Sequence, residues 1–217
     1  MCIRDSSTIL TFTFLIFVVA CSATSSSDSE SSKENEKIAE SNSQTFELDI
    51  PKIGQSPTLV VMSEHPTLQC LNSSFDKFIN VFGMYVIGTP GAPLAYVEHT
   101  ANILAQYIDN DEDGLPDESR VLSFLVNNNF VVPVWSENDR DPFFESTRGT
   151  YCEDNLGMAA SMYYEYDEWA IGGIEKAGTW DTNLEEVWHV VSVGWYNSYP
   201  TYFGDNPGSS QLTAAMT

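Results

Sequence analysis

Positive charge is scarce in this chain, whose 217 residues carry 9 lysines and arginines against 31 aspartates and glutamates, a formal net charge of -22. That balance excludes nucleic acid and anionic membrane surfaces as electrostatic partners; it suits cationic partners and divalent metal, or solubility in a salty medium. A membrane-spanning run is missing too. The uncharged apolar stretch from Thr8 to Ala20 covers 13 residues, too short to cross a bilayer and close to the core of a signal peptide. Cysteine is limited to 4 residues, of which Cys2 and Cys21 fall in this leader. Cys70 and Cys152 remain, and in an exported protein they are expected either to pair or to stay as two buried thiols. What the chain has in quantity is apolar residue, 42% hydrophobic with 12% aromatic, so the acidity decorates a globular protein.

The leader ends in Val18-Val19-Ala20-Cys21, which resembles a bacterial lipobox; the resemblance implies cleavage before Cys21 and acylation of that residue. Ser22 to Gln44 is polar, rich in Ser and Glu and free of aromatics, the composition of a flexible tether. The expected organisation is a signal peptide over 1–21, a tether over 22–44 and one globular domain over 45–217, anchored to an envelope membrane or secreted. About 170 residues suffice for a single substantial core.

Between two apolar-periodic segments lies Asp109-Asn110-Asp111-Glu112-Asp113-Gly114-Leu115-Pro116-Asp117. Six acids in ten residues, Glu118 included, repel one another unless a cation sits among them. Alternating Asp109, Asp111 and Asp113 bring carboxylates to one point, Gly114 supplies positive φ, the Leu115 carbonyl offers an oxygen, and Asp117 is the ninth residue, where a ligand often acts through water. The loop resembles the calcium loops of EF-hands and, in its Gly-x-x-Asp continuation, the thrombospondin type 3 repeats. Its twelfth position is Arg120 where an EF-hand places a bidentate Glu. The implied site is either weaker, near 10⁻⁴ to 10⁻³ M on the order of extracellular modules, or completed from elsewhere in the fold.

Thr182-Asn183-Leu184-Glu185-Glu186-Val187-Trp188-His189 opens a second helix. Glu185 and His189, four apart, share a face and can clasp one metal ion such as zinc, with Glu186 at the general-base position of the zinc-peptidase pattern. The alternative is a Thr182/Glu185 capping box that turns Glu185 back to the helix start. Third-ligand candidates are Asp205, His99, Glu98 and His65. No spacing singles one out.

The expected fold is α+β, mainly helical with a few short strands. Strands are expected at Thr45–Ile50, Thr58–Met62 and Met84–Ile87, and helices from Asn72 or Ser73 through Phe82, over Leu94–Ile108 and around Val121–Leu125. Pro133 confines Phe130–Trp135 to an edge or a strand end. Ser136 to Thr150 reads as turns, and the aromatic segment Met158–Trp169 as core or the wall of a cleft. Its Tyr163–Trp169 part is also a candidate for stacking on carbohydrate.

From Ala101 to Met216 the chain resembles a family of uncharacterised secreted proteins. The residues that carry the likeness are the Ala-x-x-Leu-Ala-Gln-Tyr helix entering the acidic loop, Asp181-x-x-Leu-Glu-Glu-Val-x-His189, Gly194, Tyr199-Pro200, Phe203-Gly204 and Ser210-x-Leu-x-x-Ala-Met216. The resemblance pairs the two motifs without naming a reaction, and implies a final helix running on past Thr217.

Overall fold

Alternating side chains in three central strands build a sheet that is apolar on both faces. The computed structural model describes residues 59–216, all within one compact unit. The leader, the tether and the Thr45–Ile50 strand lie outside the described residues. Strand β1 (Val61–Met62) pairs antiparallel with β2 (Lys77–Val81), and β2 with β3 (Met84–Gly88). Helix α1 (Leu94–Ile108), the acidic loop and α2 (Ser119–Asn127) then form the crossover to β4 (Phe130–Trp135), which runs parallel to β3. Helices α3 (Arg140–Thr147) and α4 (Tyr151–Asn155) precede β5 (Gly157–Met158) and β6 (Met162–Tyr163), both parallel to β4. The short α5 (Ile174–Ala177) leads to the long α6 (Thr182–Ser198), followed by α7 (Pro200–Phe203) and α8 (Gln211–Ala215). The order is β1-β2-β3-β4-β5, with β6 also on β4, a mixed sheet with helices in an α+β arrangement.

Period-2 alternation divides the core. Ile79, Val81, Met84, Val86, Val132 and Val134 face α1, α2 and α6; Phe78, Ile87, Val131 and Trp135 face a second cluster with Leu71, Phe75, Phe143 and Cys152. Cys70, in a 3-10 turn over Gln69–Leu71, is bonded to Cys152 of α4, with Cα atoms 6.1 Å apart. This bond ties together the two segments that cover the second face.

Three sequence expectations are corrected. In place of the helix expected through Phe75, Phe78, Ile79 and Phe82, Phe78 and Ile79 lie in strand β2, Phe75 precedes it and Phe82 begins the turn after it. Burial on both faces makes neighbouring Phe78 and Ile79 both apolar, which mimics helical spacing. Pro133 lies in a central strand, not at an edge. It coincides with a break on one side of β4, where β5 pairs with Phe130 and Val131 and β6 resumes only at Val134 and Trp135. The turn-like stretch after Ser136 contains α3, which buries Phe143 and Thr147 against the sheet.

Helices α2 and α6 approach closely at Gly194, where an added Cβ would stand 2.7 Å from Val121 Cγ1 and 3.0 Å from Leu125 Cγ. Gly194→Ala is therefore expected to destabilise the fold by about 1–3 kcal/mol despite alanine's better helix propensity. Urea denaturation checks this, and an unchanged or raised midpoint contradicts the close packing.

Candidate metal site and the α6 constellation

The acidic loop closes on itself through its backbone. Asp109 ends α1, its N–H donating to Ala105 O at 2.9 Å, and Asp117 N–H donates to Ile108 O at 2.9 Å, so both ends of the loop are pinned. Asp109 Oδ1 accepts from Asp113 N–H at 3.1 Å and Oδ2 from Gly114 N–H at 2.9 Å. Asp117 Oδ2 accepts from Asn110 N–H at 2.8 Å, and Asp111 Oδ1 from Asp113 N–H at 3.3 Å. Positive φ at Glu112 (58°) and Gly114 (86°) turns the chain tightly enough to aim these amides inward.

Asp109, Asp111 and Asp117 each present a carboxylate oxygen, all within 4.8 Å of one another. Asp109 is buried, at 3% exposure, while its two partners are exposed. Burial raises the Asp109 pKa; the Gly114 and Asp113 amides oppose that, and the neighbouring charges of Asp113 and Asp111 reinforce it. A buried carboxylate beside two like charges is relieved by a divalent cation. Asp113 stands outside the three-residue group. Its Oδ1 accepts from Leu115 N–H at 2.8 Å.

Arg120 does not neutralise the cluster. Its guanidinium lies 5.0 Å from the Tyr199 ring centroid, and its carbonyl accepts from Ser198 Oγ on α6. Glu118 caps α2 by accepting from Arg120 N–H at 3.1 Å, and its side chain also takes a hydrogen bond from the Tyr199 hydroxyl, which raises that hydroxyl's pKa. The loop is thus anchored to the end of α6.

On α6, Glu185 Oε1 and His189 Nε2 lie 3.8 Å apart, both side chains more than half exposed. Among the described residues no third Asp, Glu, His or Cys joins them at ligand distance. Glu186 is turned elsewhere, its Oε2 accepting from Ser161 N–H at 3.1 Å. The capping box expected of Thr182 and Glu185 is replaced by Asp181, whose Oδ1 accepts from Asn183 N–H at 3.1 Å; Thr182 Oγ1 instead accepts from Glu168 N–H. Candidate ligand His99 pairs with Asp181, Nε2 to Oδ2 at 2.5 Å, and Thr100 Oγ1 donates to Asn183 Oδ1 at 2.6 Å. This buried cluster braces α1 against the start of α6. Asp181 stands in the sequence as the first residue of the Asp-x-x-Leu-Glu-Glu-Val-x-His motif and not as a cap, although an Asp directly before a helix is as good a capping signal as the Thr that follows it.

No helix among the described residues is long and apolar enough to cross a membrane. Searches of family models, curated proteins and solved structures return no match to this chain. The fold and the loop therefore define it only as an α+β domain whose acidic crossover brings three carboxylates together.

Proposed function

We propose that this is an exported calcium-binding protein with a structural or binding role, tethered to the cell envelope through acylated Cys21. The ion would be held by the converging carboxylates of Asp109, Asp111 and Asp117 and by the Leu115 carbonyl, with Asp113 turning inward from the Leu115 amide to join them, and would stiffen the α1–α2 crossover between β3 and β4. The observation that carries this reading is the convergence of three carboxylates, one of them buried, with Arg120 directed away. The likeness of the paired motifs to uncharacterised secreted proteins agrees with export and adds no reaction.

Calorimetric titration with calcium tests it. One site is expected, with Kd on the order of 10⁻⁴ to 10⁻³ M because the bidentate twelfth-position Glu is missing. Saturation at about 100 Kd raises stability by about 2.7 kcal/mol. Asp111→Ala combined with Asp113→Ala abolishes both effects, and binding that survives the double change refutes the ligand set. Metal analysis of the same preparation separates this reading from a zinc-dependent hydrolase, which requires bound zinc that is lost on His189→Ala.

A further inference from the structure

A cleft of about 520 Å³ opens where the β2–β3 hairpin, the end of α2 and the start of α4 meet, with Pro116 of the acidic loop on its wall. No aspartate, glutamate, lysine or arginine among the described residues lines it, in a chain of net charge -22. Amides and rings line it instead. Asn80 Oδ1 accepts from Gly83 N–H, which leaves its Nδ2 as a donor; Asn129 Nδ2 donates to Asn155 O, which leaves its Oδ1 as an acceptor. Asn127 is exposed beside them, and Tyr151 stands at the rim with 60% of its surface open.

Two of the three described non-glycine residues with positive φ, Phe82 and Asn129 at 51° each, line this cleft. Phe82 and Gly83 form the two-residue hairpin turn, where the first position favours Asn, Asp or Gly. A bulky residue in that conformation costs about 1–2 kcal/mol, and such strain gathers at binding sites. His65 also lines the cleft. Its Nδ1 accepts from Leu68 N–H at 2.9 Å and Thr67 N–H at 3.2 Å, so the proton resides on Nε2, which has no acceptor among the described residues.

We propose that this cleft binds a neutral carbohydrate. An anion would find no cation in the cleft and a repelling field outside it, and a cation would find no carboxylate to pair with. A purely apolar ligand would strip water from the Asn80 and Asn129 amides without replacing their hydrogen bonds. A sugar ring offers hydroxyls that both donate and accept, matched to amides, and C–H faces matched to tyrosine rings; a pocket of this size holds one or two sugar units. No group that would hold calcium takes part in this recognition of a sugar, although Pro116 of the acidic loop forms part of the wall.

Saturation-transfer NMR on the full-length chain tests this, with methyl glucoside, methyl galactoside, methyl N-acetylglucosaminide and a panel of neutral oligosaccharides as probes. Glucuronate, glucosamine and an uncharged tripeptide serve as counterparts. At least one neutral glycan is expected to bind about tenfold or more tightly than any charged analogue or the peptide. Tyr151→Ala and Asn127→Asp, both at exposed positions that leave the fold intact, weaken it by about tenfold or more. Absence of binding by every neutral glycan, tighter binding of the peptide, equal binding of charged sugars, or affinity unchanged in both variants overturns the proposal. Calcium titration is read separately, so failure of one reading leaves the other standing.

Discussion

Loss of the Cys70–Cys152 bond, by Cys70→Ala with Cys152→Ala, lowers the unfolding free energy by about 4–5 kcal/mol. The bond closes a loop across a sequence separation of 82, and freeing a loop of that length returns entropy to the unfolded chain. The native side suffers as well. Cys152 is buried at 3% exposure in the cluster with Trp135, Phe75 and Phe143, so its truncation also removes packing. Domains of this kind hold about 5–15 kcal/mol in total, so the double variant sits near the folding threshold. Urea denaturation followed by tryptophan fluorescence measures the loss. A change below about 1 kcal/mol would contradict the role given to the bond.

Acid destabilises the protein through His65. Burial lowers its pKa from 6.5 to about 4, with the ring centroid 4.1 Å from that of Tyr85 and the two planes tilted by 49°. Above pH 6.5 the ring is neutral in both folded and unfolded chains, and His65 contributes no pH dependence. Below it the unfolded chain takes up the proton first, and stability falls until the folded ring is protonated near pH 4, by about 3 kcal/mol altogether. Asp109 acts in the opposite sense in the calcium-free protein, because its raised pKa lets the folded state take up a proton more readily as pH falls. The measurement is therefore the difference between wild type and His65→Asn over pH 4 to 7 in calcium-free buffer. Asn Oδ1 occupies the place of Nδ1 and keeps an acceptor for Leu68 and Thr67. The variant is expected to lose less stability than wild type on acidification, and parallel curves would exclude His65 as the cause.

Helices α1, α2 and α6 are legible in the chain because each has one apolar face and one wet face. Val97, Ala101, Leu104 and Ile108 follow helical spacing with little ambiguity. Strand β2 is not legible in the same way, since a segment buried on both sides loses the polar alternation by which strands are recognised. The Asp111 oxygen meets that of Asp109 as the alternation implies, but the third member is Asp117, expected to act through water, and not Asp113, whose Oδ1 accepts from the Leu115 amide. The expected capping box failed because Thr182 and Asp181 compete for the same helix start, and Asp181 gains from pairing with His99 on α1.

By itself the sequence determined the net charge, the cysteine pair available for bonding and the acidic loop, whose geometry is local because its carboxylates are separated by only a few backbone torsions. Tertiary structure alone decided that Glu185 and His189 gain no third ligand among the described residues, that Arg120 turns to Tyr199, and that an uncharged cleft forms between the hairpin, α2 and α4. Those outcomes depend on segments distant in the chain, whose approach is set by the packing of both sheet faces and by no spacing in the sequence.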